Sequence, residues 1–248
     1  MVIRLKSLLV VFLISSILIS AGCATNKTAA GPTVILTYQA DLSKKDPAKT
    51  DAQIMANIKS IITNRLQAYG ITKTVIQLQG SNQVLVKLTG VDNTDKVMSL
   101  IGEVGLLAFK EKQYDSYRNP VTDANGNQVW TPAAATGSDG TQEALTGKYL
   151  KPNAIVMRDS MGKPEVSFEW NSEGAKLFEQ VTTRNLNRPL GIFLDNELIS
   201  APTVQAVIKD KGVITGVTID EAKILVVQLN SGALDIPLQL ISYTTNAH

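Results

Sequence analysis

Between Thr33 and Lys112 the spacing of apolar residues switches repeatedly between the period of a strand and that of a helix. Val34 to Gln39 (VILTYQ) suits a strand. Ile54, Ile58, Ile61, Ile62 and Leu66 then form a stripe at helical spacing, which Gly70 ends. VIQLQ (Val75 to Gln79) and VLVKL (Val84 to Leu88) flank Gly80-Ser81-Asn82, whose residue types favour a hairpin turn. A short helix over about Thr94 to Ile101 follows, and then LLAFKEK from Leu106. The order is β-α-β-β-α-β, the split arrangement of ferredoxin-like sheets, so the fold class is α+β.

From Gln113 to Leu150 this regularity stops. Pro120, Asn125-Gly126, Pro132 and the run AAATGSDGT make the segment loop-rich and long for a plain connection, as expected of an insertion or lid. Order resumes with AIVMRDS and EVSFEW, strands on either side of a turn at Gly162-Lys163-Pro164. Ser172-Glu173 open a helix carrying Ala175, Phe178 and Val181, with acid in its first turn as the helix dipole favours. LGIFL and ELISA are separated by Asp195-Asn196, a two-residue hairpin turn, and Pro202 ends the second of them. Thr218 and Glu221 have capping-box spacing before a helix with Ile219, Ala222, Leu225, Val226 and Leu229 inward. Gly232 stops that helix, and PLQLISY from Pro237 is the last strand.

The N-terminus has a different character. Arg4 and Lys6 precede an apolar run from Leu8 to Ile19, followed by small residues, which is the layout of a secretory signal over residues 1–22. The run is shorter than the roughly 20 residues that cross a bilayer. Ser20-Ala21-Gly22-Cys23 resembles the lipobox of bacterial lipoproteins, with Ser20 standing where a large aliphatic residue is usual. The resemblance implies cleavage between Gly22 and Cys23 and acylation of Cys23, the chain's one cysteine. Several acyl chains, at about 0.8 kcal/mol per buried methylene, hold a protein at a membrane more firmly than one chain does. Residues 23–32, small and polar, read as a tether.

Removing the signal takes two of the 24 basic residues and leaves 22 against 22 acidic ones. A neutral balance argues against electrostatic nucleic-acid binding. One cysteine and a single histidine, His248 at the chain end, provide no His/Cys cluster for zinc or iron, and neither a cofactor nor a metal is expected.

Seven stretches, in order, resemble the first periplasmic domain of SecD, the membrane subunit that assists the bacterial Sec translocon. They are ITNRLQAYGITKTVIQLQGSNQVLVKLTGV, IGEVGLLAFK, LTGKYL, EVSFEWNSEGAKLFEQVTTRN, RPLGIFLDNELISAP, ITG and QLNSGALDIPL, together spanning Ile62 to Leu238. The resemblance implies a ferredoxin-like base at 33–112 and 217–248, with an α+β head inserted at 113–216. It also implies unfolded secretory polypeptides and Sec translocon subunits as partners, while the lipobox-like stretch implies an extracytoplasmic place, lipid-anchored through Cys23 to the cell membrane or outer membrane. A SecD chain begins with a membrane helix and continues into five more that carry its proton-driven motor. Here a lipobox-like stretch stands first and the sequence given ends at His248, so the motor is not carried over.

Catalytic patterns are weak. Asp123-x-Asn125-x-Asn127 begins like a calcium loop, but Gln128 and Ala134 replace the glycine and glutamate such a loop needs, and a hairpin turn is expected instead. Thr146-Gly147-Lys148 lacks the hydroxyl residue and the upstream glycine of a phosphate loop. Asp195 has turn chemistry, and no G-x-S-x-G motif occurs. The expectation is a non-enzymatic module. Phe178 and Trp170 are expected in the core, whereas Tyr114, Tyr117 and Trp130 are candidates for an exposed polypeptide-binding surface. The competing expectation is a lipoprotein that reuses the fold to bind a small ligand or a cell-wall component.

Overall fold

The structure is a computed structural model and describes residues 31–246. The signal, the Gly22/Cys23 cleavage and lipidation site, most of the tether and His248 lie outside the described residues.

The first lobe is built from β1 (Thr33–Ala40), α1 (Asp51–Ala68), β2 (Thr74–Gln79), β3 (Gln83–Thr89) and α2 (Thr94–Gly102). Thr50 and Gln53 form a reciprocal capping box at the start of α1. The helix then buries the stripe Ile54, Ile58, Ile61, Ile62 and Leu66, adding Met55 and Arg65. Leu36 and Tyr38 of β1 face Val86 and Val84 of β3. With Val34, Ala40 and Leu88 they form the buried side of the sheet, packed in one cluster with α1 and with Val97 and Ile101 of α2. Each such fully buried aliphatic side chain stabilises the lobe by about 2 kcal/mol.

The remaining elements are β4 (Leu107–Lys112), β5 (Trp130–Pro132), β6 (Ala134–Thr136), β7 (Gln142–Ala144), β8 (Ile155–Arg158), β9 (Pro164–Glu169), α3 (Ser172–Arg184), β10 (Leu190–Leu194), β11 (Glu197–Ser200), β12 (Lys211–Ile214), α4 (Ile219–Ser231) and β13 (Leu238–Asn246). The base sheet runs β13-β1-β3-β2 with every neighbour antiparallel, the strand order of a ferredoxin-like fold.

Two elements differ from the sequence expectation. The strand from Leu106 does not close the base sheet. As β4 it pairs with β10 and β5, and β13 takes the fourth base position. Gly105, at φ +75°, turns the chain away between α2 and β4, and Leu107 and Phe109 then point into a second core. The other difference is α4, expected in the base. Its Ala222, Leu225 and Leu229 belong to the second core, while the helix also packs on α1 and buries Val227 and Gln228. Ile219, expected inward, is exposed in the first turn.

That second core is the head. Sheets β11-β10-β4-β5 and β12-β9-β8, with α3, α4 and the β6–β7 hairpin, enclose Phe109, Phe168, Trp170 and Phe178. Their ring centroids lie 5.3–6.0 Å apart, in tilted and edge-on pairs that aromatic quadrupoles favour. Phe178 and Trp170 are therefore core residues, as expected from the sequence.

The loop-rich segment is ordered by aspartates. In the turns Asp115–Asn119, Asp123–Asn127 and Asp159–Lys163, the first residue's carboxylate accepts from the amides two and four positions on. Arg118, Gly126 and Gly162 occupy the left-handed position of the three turns, at φ 67°, 83° and 79°. The calcium-like run is thus a turn whose Asp123 carboxylate is occupied by backbone N–H groups. The Asn127 amide is the main reason its pKa sits below the usual carboxylate range.

Candidate functional site

The head's place on the base is set by Arg65, a charged residue on the core stripe of α1 and 0% exposed. Its guanidinium donates to the carbonyls of Leu100 (3.0 Å), Glu103 (2.6 Å), Val104 (2.8 Å) and Gly232 (3.2 Å), and its Nε to Ser231 Oγ (3.3 Å). These acceptors lie at the C-terminal ends of α2 and α4, the two places where the chain passes between base and head. Burial lowers the Arg65 pKa to about 10, so the group stays charged at neutral pH, and its hydrogen bonds offset the desolvation. Asp195, at φ 50° in the β10–β11 turn, accepts from the N–H groups of Gly105 (3.0 Å) and Leu106 (2.7 Å) at the same crossing. It is a turn residue that also ties the head sheet to the linker.

Within the head, a groove of about 400 Å³ opens onto the aromatic core. Phe109, Phe168 and Phe178 form its floor, Leu190, Ile192 and Val213 its walls, and the segment Pro202–Ile208 its rim. The rim is pinned at intervals. Leu190 N–H donates to Pro202 O (3.0 Å), Asn187 N–H to Val204 O (2.8 Å), and Trp170 N–H to Asp210 O (2.8 Å). Buried Thr182 holds Ile208. Its hydroxyl accepts from Ile208 N–H at 3.1 Å, and its proton is available to the carbonyls of Phe178 (2.8 Å) or Ile208 (3.0 Å). Ile208 and Val213 are left partly exposed around the opening, Val213 to 42%. Gly212 is required on β12, because a Cβ there would lie 2.4 Å from Phe168 Cζ. The lining is apolar apart from Thr182, Thr203, Gln205 and Lys211, so the groove presents a largely apolar surface.

Tyr114, Tyr117 and Trp130 stand elsewhere and meet other partners. Trp130, half-buried on β5, packs edge-on against Phe193 with centroids 5.5 Å apart. Tyr114 lies beneath Arg188, 5.7 Å from ring centroid to guanidinium carbon. Tyr117, 85% exposed, occupies the 115–119 turn. Sequence reasoning missed the groove because its rim has no periodicity. The Thr182–Ile208 clamp leaves no sequence signal, whereas Arg65 does leave one, as the charged residue of an apolar helical stripe.

The family model described as SecDF, P1 head subdomain matches residues 133–236, and that for the N-terminal part of the SecDF P1 domain matches residues 55–114. The chain belongs to the SecD P1-domain family. Over 213 residues it is 39% identical to the protein translocase subunit SecD of Dehalococcoides mccartyi, covering 83% of this chain and 46% of that protein. Leptotrichia buccalis SecD is 35% identical over 199 residues, covering 79% of this chain and 44% of the relative. The chain therefore spans somewhat less than half the length of these relatives. A solved SecDF structure, described as that of a membrane component that enhances protein export, superposes with a TM-score of 0.64 at 26% identity, covering 84% of this chain and 98% of the solved one. SecDF in its super-membrane-facing form gives 0.66 at 25% identity, over 86% of this chain and 30% of the other. The α+β architecture of base and head is thus that of the SecD P1 domain. As in the fold, the family's head model runs on through α4. Among the described residues no helix is long and apolar enough to cross a membrane.

Proposed function

We propose that this SecD-family P1 domain acts in protein export, without enzymatic chemistry of its own. Its head groove takes up apolar side chains of secretory polypeptides that are still unfolded, at or near the Sec translocon. The observation that carries the reading is the groove itself, an open apolar cleft of about 400 Å³ in the head of a chain related to SecD. Family membership supplies the export context. The exposed lining residues Ile208 and Val213 supply a surface that excludes water from a bound side chain.

Binding of a fluorescently labelled, reduced secretory precursor to the purified protein tests this. Val213→Asp, at an exposed groove position, is expected to weaken binding by about tenfold, the effect of placing a charge against a buried apolar contact. Equal affinity in the variant at an unchanged melting temperature would remove the groove from the account.

The same reading places the domain at a membrane through an acylated Cys23, on the strength of the Ser20-Ala21-Gly22-Cys23 stretch. Mass spectrometry of the protein purified from membranes is expected to find Cys23 as the first residue, carrying acyl chains. An unmodified Cys23 or a retained signal would sink the anchor.

A further inference from the structure

The face of the β11-β10-β4-β5 sheet turned away from the head core carries cations that the groove does not use. Along β4, Leu107 and Phe109 point inward, so Lys110 and Lys112 share the outer face. Pairing places Gly191 opposite Lys110 and Trp130 opposite Lys112 on that face, with Phe193 two residues on from Gly191. The Lys110 ammonium lies 4.4 Å from the Phe193 ring centroid and that of Lys112 lies 5.7 Å from Trp130. Beyond the strand end, Arg188 covers Tyr114 in the same manner. Among the described residues none of these three cations belongs to an ion pair. The one hydrogen-bond acceptor of Lys110 is the neutral Asn196 side chain, at 3.1 Å. Asp115, close along the chain, has both carboxylate oxygens engaged by its own turn.

We propose that this outer face is a docking surface for an extended acidic polypeptide segment, with Lys110, Lys112 and Arg188 receiving its carboxylates. The proposal rests on the export reading for the kind of partner, but on a different surface. Charge complementarity selects an anion, since the aromatic rings hold the cations in place without neutralising them. Spacing selects a polypeptide. Lys110 and Lys112 are separated by one two-residue strand repeat, about 6.8 Å, which is also the separation of alternate side chains along an extended partner. A lipid surface fits less well. Phe193 is 6% exposed beneath Lys110, and Trp130 lies over the bare backbone of Gly191, where a Cβ would come within 2.7 Å of the indole. The rings are therefore packed edge-on against each other and the sheet beneath the charges rather than projecting for insertion into headgroups.

The full chain can be titrated, with fluorescence anisotropy as readout, against a labelled peptide alternating glutamate with threonine and against its lysine–threonine counterpart. Vesicles of phosphatidylglycerol form a third arm. The glutamate peptide is expected to bind, to weaken several-fold as salt rises from about 0.05 to 0.3 M, and to lose about tenfold or more in K110E/K112E. K110Q/K112Q, which keeps side chains over both rings, is expected to weaken binding in the same direction and carries the test if the reversed variant does not fold. Undiminished binding in the glutamine pair, equal binding of the lysine peptide, or binding to vesicles with none to the glutamate peptide would each overturn the proposal. Val213→Asp should leave glutamate-peptide binding unchanged while weakening precursor binding, so failure of the groove and failure of this face read out separately.

Discussion

Replacing Arg65 with methionine is expected to destabilise the protein by about 3–5 kcal/mol and to lower its melting temperature by roughly 10 °C or more. Methionine fills much of the volume but leaves the carbonyls of Leu100, Glu103 and Gly232 without the guanidinium, and that of Val104 with the Leu234 N–H alone, in a place that is closed to water in part. The loss falls on both lobes, because these carbonyls end α2 and α4 where the chain crosses between base and head. Lysine at the same position keeps the charge but lacks the planar fork that reaches several acceptors at once, and should recover less than half of the loss. Calorimetry of the two variants checks this, and a loss below about 1 kcal/mol for methionine would mean that the carbonyls find other partners.

Gly212→Ala is expected to cost about 2–4 kcal/mol, although it adds a single methyl group on an edge strand. The new Cβ would sit 2.4 Å from Phe168 Cζ and 3.0 Å from both Cε atoms, so the ring must move. Phe168 is 1% exposed and touches Phe109 and Trp170, which leaves it no free direction. Near-ultraviolet circular dichroism should change along with stability, since Trp170 lies 5.3 Å from the displaced ring. Precursor binding should fall as well, because Phe168 and Gly212 both line the groove. An unchanged spectrum and melting curve would show that the edge strand yields instead of the ring.

What the sequence made legible was local. The stripe of α1, the hairpin at Gly80-Ser81-Asn82, the Asp195-Asn196 turn and the Thr218/Glu221 capping box rest on residues within a turn or two of each other, and each appears where spacing put it. The partnering of β4 was not legible, and spacing alone did not place β13 either, although the resemblance to SecD put the last strand in the base, where it lies. LAFKEK and LQLISYTTN both suit a half-buried strand, and alternation does not say which sheet a strand joins. That choice is made by Gly105 and Arg65, which bring residues from α1, α2 and α4 together across more than a hundred positions of chain. The groove was illegible for a related reason. Its floor is core aromatics that any buried sheet would need, and its rim is held by a hydroxyl on a helix 26 residues away. Resemblance to SecD reached the same head by another route, through blocks such as EVSFEW and RPLGIFLDNELISAP, which contain Phe168, Trp170, Leu190 and Ile192.

The head groove is expected to meet polypeptides in export. A photo-crosslinking residue at Gln205, on the unpinned part of the rim, tests it in cells, with the same residue at Val75, on the outward side of the base sheet, as reference. Adducts to secretory precursors are expected from position 205, increasing when export is slowed, with few from position 75. Equal yields from both positions, or adducts at 205 confined to folded envelope proteins, would contradict it.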